Sequence, residues 1–448
     1  MVRGQGIYLF DAEGRRYVDA VSSWWACNLG HSHPRLIRAL ELQSHQLQHC
    51  ILGNQSHPGA IELAERLSAL IGGAEPMYSL FSGDGSSSIE AALKMAVQYH
   101  ANRGHPERHR LVALKNAYHG DTLGAISVGD IATYHQPYQS LLFDAIRAES
   151  PCCRICPWNR NPDTCALDCF ESLRGIVKRQ ASELAAVIVE PLCQGSAGMR
   201  IYSPRYLAAL AALCRKQGVL LILDEIAVGF GRTGRWFAFQ HAGVDPDIVC
   251  VGKALAGGYL PMSAVVARRS IYETFTDAPV DHTFYHGHTF GGNPLAAALA
   301  LETLKIYEEE GIVEHVRRKG ECLAGWGSRM EARMGVRAVR CLGLIAALEF
   351  EDGQGQGTRR AQQVRQELLR QGILVRPLGP VVYLLPPLIV TDGELRNLLD
   401  AFDLAVTVTA PKFARQRGRG SPLGLSEPRR DGSAGGVAPP SKPRVMLD

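Results

Sequence analysis

Gly218-Val-Leu-Leu-Ile-Leu-Asp-Glu-Ile-Ala-Val-Gly-Phe-Gly-Arg-Thr-Gly234, followed by Asp247-Ile-Val-Cys-Val-Gly-Lys253, is the stretch from which the fold is read. The apolar run Val219–Leu223 has the length and branching of a strand buried on both faces of a parallel sheet. It ends on the acid pair Asp224-Glu225. After the Gly-rich turn 229–234 a second run, Asp247–Val251, ends instead on Gly252-Lys253. Two neighbouring strands thus deliver a carboxylate and an amine to one sheet edge, at the carboxyl ends where open α/β sheets bind ligands.

Working outward, Met77–Phe81 reads as a strand, Ser82-Gly-Asp-Gly-Ser-Ser-Ser88 as a small-residue loop and Ile89–Val97 as helix. That order makes an anion site from the first helical N–H groups, here on Gly85 and Ser86. It lacks the Lys-Ser/Thr of the nucleotide-triphosphate loop. Strand Leu111–Leu114 brings Asn116-Ala-Tyr-His-Gly120 to the same edge, and Ala185–Val189 brings Glu190. Helices are expected at His33–Gln48, Gly59–Ile71, Glu171–Arg179 and Arg205–Gln217. This alternation predicts an α/β fold with a mostly parallel, doubly wound sheet as a large domain, residues 46–310. Helix Val313–Glu331, strand Val339–Glu349, helix Thr358–Arg370 and short strands near Val375 and Tyr383 predict a smaller α+β domain, 311–410. The N-terminal segment 1–45, with its hairpin Gly6–Asp19 and its Trp24-Trp25 pair, is expected to pack with it. Residues 411–448, rich in Gly, Pro, Ser and Arg, read as a disordered tail.

The 448 residues, 46% apolar, suffice for a large core. No run has the span of a membrane helix and the start has no secretory h-region, so the expected location is cytoplasmic. The net charge is +4, but from Pro411 onward eight Lys/Arg face three Asp/Glu. The body is therefore about −1, against nucleic-acid binding. Of twelve cysteines five lie between Cys152 and Cys169. Without an export signal they should be reduced. Cys153-x2-Cys156-x8-Cys165-x3-Cys169 has thiolate spacing for zinc or an iron–sulfur cluster, with a loop of free thiols as the alternative.

A lysine on a glycine-flanked turn is by itself a solvated charge, and an acid at a strand end is a cap. Together they suit pyridoxal phosphate, whose ring nitrogen needs a carboxylate and whose aldehyde needs a lysine. Asp224 would hold the ring nitrogen, Lys253 the aldehyde carbon and Gly85-Ser86 the phosphate, with Tyr118 on the ring face. Ser82–Ser86, Tyr118-His-Gly120, Val189-Glu-Pro191, Leu223-Asp-Glu-Ile226, Gly231-Arg-Thr-Gly234, Gly252-Lys253 and Thr289 through Asn293-Pro294 then make a specific resemblance. In register from Gly6 to Val406, the chain resembles the class III (ω-type) pyridoxal-phosphate aminotransferases of fold type I.

The resemblance implies an aminotransferase with Lys253 as Schiff-base lysine and proton shuttle. It also implies a homodimer with shared active sites, in which Thr289 reaches the neighbouring subunit's phosphate. Trp24, Trp25 and Tyr118 would wall the substrate channel, and Arg232 and Arg376 would be candidates for a ketoacid carboxylate. Glu190 would position its neighbours. Val21-Ser-Ser-Trp-Trp25 and Asp224–Gly234 further resemble members that transfer an amino group from S-adenosylmethionine, or lysine, to 8-amino-7-oxononanoate in biotin synthesis. Another ω-aminotransferase acting on a diamine or ω-amino acid, and a catalytically silent binding or metal-sensing homologue, are the competing readings. Family members carry a further N-terminal segment with a pocket aromatic, whereas this chain begins at the hairpin.

Overall fold

The computed structural model describes residues 1–162, 164–276 and 280–410. The apolar runs assemble into a seven-stranded sheet in the order Met77–Ser82, Ser263–Arg268, Ile248–Val251, Leu220–Asp224, Leu184–Val189, Arg110–Leu114, Ile146–Ala148. From Ile248–Val251 to Ile146–Ala148 every pairing is parallel. Ser263–Arg268, which the sequence reading missed, lies antiparallel to both of its neighbours. The central strands are buried along their whole length. Leu221 and Leu223 face one apolar core and Leu220 and Ile222 the other, as helices on both faces require.

The strands that decided the reading are neighbours in register. Ile222 lies opposite Ile248 and Asp224 opposite Cys250, so the chain after Val251 starts level with the acid pair. Helix Gly85–Asn102 begins at the same edge, directly after strand Met77–Ser82. Its first turn takes in Gly85 and Ser86, which the sequence reading left in the loop.

The N-terminal strands Arg3–Gln5, Tyr8–Phe10 and Arg16–Asp19 form a second sheet, closed by Ile373–Leu374. Val18 pairs with Ile373, so residues from opposite ends of the chain share this sheet. The single strand expected over Val339–Glu349 is in fact a hairpin, Val336–Leu342 and Ile345–Phe350, joined by Val381–Leu384. The turn is at Gly343, whose φ of +54° suits glycine. A Cβ there would meet the Arg232 carbonyl and the Thr233 backbone. Helix Asp392–Val408 was also missed, although its capping box is legible as Thr391-x-x-Glu394. Among the described residues no helix is long and apolar enough to cross a membrane.

Candidate active site

Lys253 follows Gly252 at the end of its strand and sits in the left-handed region, φ +44°. Such a conformation is costly for a side chain bearing a Cβ and marks a residue held by its surroundings. Burial lowers the Lys253 amine below its usual range, although Asp224, Glu190 and Asp121 pull the other way. Asp224 is buried. It takes a hydrogen bond from the Ile226 N–H at 3.1 Å and lies 2.7 Å from His119 Nδ1. Glu190 accepts from the Tyr118 N–H at 3.1 Å and the Gly195 N–H at 2.9 Å. Burial raises its carboxyl to about 7.

The anion cradle is built by close approach. Asp84 caps the helix by accepting from the Ser87 N–H at 3.0 Å. The N–H groups of Gly85 and Ser86 precede the first intrahelical acceptor and stay available to an anion. Gly120, at φ +125°, passes so near that a Cβ would stand 2.1 Å from Ser86 Oγ. The Asp121 N–H donates to Ser86 Oγ at 3.2 Å. Tyr118 projects from the same loop, and its hydroxyl donates to Asp121 at 2.7 Å. Burial, then Asp121, pushes that phenol well above its usual range.

The segment Ser22-Ser-Trp-Trp25 is a left-handed turn, with φ of +51°, +44°, +65° and +69° in succession. Left-handed backbone costs roughly 1–2 kcal/mol per residue without glycine, so neighbours must impose it. Ser22 Oγ donates to the Leu385 carbonyl at 2.7 Å and Ser23 Oγ to Asp19 at 2.7 Å. The result separates two adjacent tryptophans. Trp25 is buried, with its ring 5.2 Å from Lys253 Nζ and edge-on to Tyr383 at 6.2 Å. Trp24 is 53% exposed and carries the Arg376 guanidinium 4.5 Å above its ring. Arg376 also stands beside the Tyr383 hydroxyl. Aromatic rings therefore lead from the amine to a guanidinium, as a carboxylate-bearing chain would need.

Arg232 is 0% exposed; both of its terminal nitrogens are engaged, while Nε is buried with no partner among the described residues. It donates to the carbonyls of Leu344 and Pro386 at 3.3 and 2.6 Å, to Ser22 Oγ at 3.2 Å and to Asn28 Oδ1 at 2.5 Å. Burial lowers it to about 10, still charged at neutral pH. Thr289 is not gathered with Lys253 within one chain. It is exposed on a separate cavity lined by Ile51, Leu52, Ser79, Phe81 and His286. Cys153, Cys156, Cys165 and Cys169 do share one small hollow with Cys152 and Tyr206. Yet among the described residues no three His, Cys, Asp or Glu stand close enough to hold a metal ion. Burial raises the Cys153 and Cys169 thiols, Cys169 to about 11.

The sequence reading did not single out Tyr383, His119 or Asp121 as site residues. His119 and Asp121 flank Gly120 in a loop already marked, so proximity was the available signal. Tyr383 had none, since its strand reads as ordinary core.

The class-III aminotransferase family matches residues 1–406. The chain is 40% identical to the adenosylmethionine-8-amino-7-oxononanoate aminotransferase of Synechococcus elongatus over 90% of this chain and 93% of that protein. It is 36% identical to the Geobacter sulfurreducens protein of that name, over 91% and 92%. Among solved structures it is similar to the Methanocaldococcus jannaschii enzyme of that name, with TM-score 0.84, 34% identity and coverage of 91% and 92%. An ω-transaminase from Pseudomonas jessenii superposes as well, with TM-score 0.86, 31% identity and the same coverage. Fold, site geometry and relatives agree: the chain belongs to the class-III aminotransferases.

Proposed function

We propose that this aminotransferase moves an amino group from S-adenosylmethionine, or lysine, onto 8-amino-7-oxononanoate, giving 7,8-diaminononanoate for biotin synthesis. The observation that carries the reading is the aromatic path from Lys253 through Trp25 and Tyr383 to Arg376 and Trp24. It offers an apolar wall to a long ketoacid chain and a guanidinium to its carboxylate. The full-length relatives bearing the corresponding name support the same substrate.

The residues fit pyridoxal 5′-phosphate. A helix N-terminus that only glycine at 120 can approach suits the phosphate, a buried carboxylate suits a protonated ring nitrogen, and an amine whose charged form burial disfavours suits an aldehyde. In this assignment Gly85 and Ser86 hold the phosphate, Asp224 the ring nitrogen, Lys253 the aldehyde carbon, and Tyr118 lies against the ring. Bound there, the cofactor supplies an electron sink for the carbanion formed at the amine-bearing carbon. Lys253 Nζ, whose ammonium form burial disfavours, takes the proton from that carbon and later returns one. His119 Nδ1 and the Ile226 N–H fix the Asp224 carboxylate. Glu190 ties the Tyr118 and Gly195 backbone together by accepting from both N–H groups. Thr289 has its role across a homodimer interface, where the partner subunit's Thr289 completes the phosphate site.

The test is single-turnover amino transfer to 8-amino-7-oxononanoate with each donor in turn, following 7,8-diaminononanoate. Lys253→Ala should lower the rate by about 10²–10⁴ or more. A wild-type enzyme that converts diamines or ω-amino acids and leaves this ketoacid untouched would establish the ω-aminotransferase reading instead.

A further inference from the structure

The left-handed turn Ser22–Trp25 is the most strained segment touching the pocket, and the groups holding it lie outside the pocket. Asp19, buried at 2% exposure on the last N-terminal strand, is its anchor. One carboxylate oxygen, Oδ2, accepts from Ser23 Oγ at 2.7 Å and lies 2.9 Å from His31 Nε2. The other accepts from the Val21 N–H at 3.3 Å. Burial alone would lower His31, but its hydrogen bonds with Asp19 and Cys27 outweigh that and raise it to about 9. Burial would raise Asp19, and His31 and Ser23 more than offset it. The pair is therefore His⁺ and carboxylate at neutral pH. Its ring is clamped in turn: the His31 backbone exchanges hydrogen bonds with Gly6, and a Cβ on Gly4 would stand 2.6 Å from His31 Cβ.

We propose that the Asp19–His31 pair is a positioning device for the active site, holding the Ser22–Trp25 turn left-handed and thereby setting Trp25 against Lys253 and Trp24 under Arg376. The pair reaches the turn through the Ser23 hydroxyl and the Val21 N–H that precedes it. Trp25 has little freedom to compensate, because its ring tip lies where a Cβ on Gly195 would reach, 2.8 Å away. Releasing the turn therefore moves the ring away from the amine instead of letting it adapt in place. Lys253 Nζ would then lose a ring face that favours its charged form, leaving Asp224, Glu190 and Asp121 as the groups that favour it.

The proposal rests on the pocket assignment above and is tested on holoenzyme with His31→Ala, His31→Gln and Ser23→Ala. In His31→Ala the KM for the ketoacid should rise about tenfold with kcat within about threefold, since binding walls and not the proton-transfer group are displaced. The absorbance of the bound cofactor, titrated from pH 5 to 10, should show its midpoint moved downward. Gln, whose amide reaches Asp19 from the same position, should restore both readouts to within about twofold. Ser23→Ala removes one hydroxyl from the surface of the turn and should move both in the same direction, less far. It serves if His31→Ala does not fold. Wild-type KM and midpoint in both alanine variants would overturn the proposal. So would losses of kcat, KM and melting temperature in parallel that Gln does not rescue. If wild-type enzyme fails to use 8-amino-7-oxononanoate, the substrate reading falls, while the absorbance titration still decides the positioning role.

Discussion

Burial penalises the ammonium form of Lys253 and lowers its amine from the usual range, while Asp224, Glu190 and Asp121 oppose that shift and the backbone is held left-handed. Glu190 shows the same principle with opposite sign. Its folded carboxyl titrates near 7 against an ordinary 4.5. The folded protein thus binds more protons than the unfolded chain between those values, and stability falls as pH rises through that window. Glu190→Gln should flatten this fall, so that melting temperature compared with wild type at pH 4.5 and pH 8 shows a smaller decrease in the variant. Arg232 gives a prediction of another kind. Its fork serves four acceptors, and an ammonium on a flexible stem cannot reach them all. Arg232→Lys should cost roughly 2–3 kcal/mol in equilibrium unfolding. Asp224 and Lys253 were legible because each stands at the end of an apolar run. The surroundings of Arg232 were not legible, because a glycine-flanked arginine looks like a loop residue. Its burial depends on Ser22, Leu344 and Pro386, all more than a hundred residues away.

At the scale of elements, the site is three strand ends and one helix start meeting at a single edge. The loop at Gly120 closes it by running against Ser86 with no room for a side chain. Gly120→Ala would also strain a backbone at φ +125°. The variant should lose cofactor affinity by at least about tenfold, read as dissociation on dilution, while the sheet, which Gly120 does not touch, keeps its circular dichroism. The central parallel strands were readable as continuous apolar runs, whereas Ile146–Ala148, at the sheet edge, was not. Strand Ser263–Arg268 was not either, since Ser263-Ala-Val-Val-Ala-Arg268 lacks the terminal acid or lysine that marked Leu220–Asp224 and Ile248–Val251. The Ser22–Trp25 turn was unreadable for a deeper reason. Left-handed backbone is announced by glycine or asparagine, and here contacts from remote segments impose it on residues that announce nothing.

In the whole molecule, Thr289, Ile51, Ile61 and Phe290 are exposed on the same side as the cavity that holds Thr289. A twofold partner covering that side would place each chain's Thr289 in the other's site. Mixing Lys253→Ala with Thr289→Ala chains after dissociation and reassembly should then regain about a quarter of the wild-type sites, because half of the sites in mixed dimers carry both residues. Activity no greater than the sum of the two variants alone would count against shared sites. The family and the large sheet were open to sequence reading because motif spacing survives in one dimension. The way the ends of the chain fasten to each other was not. Ser22 is bonded to Leu385 across 363 residues, and this has a consequence for synthesis. The pocket wall is translated 363 residues before the segment that holds it in shape. Nascent chains released before Leu385 should therefore be unable to retain pyridoxal phosphate even after the entire central sheet has emerged from the ribosome.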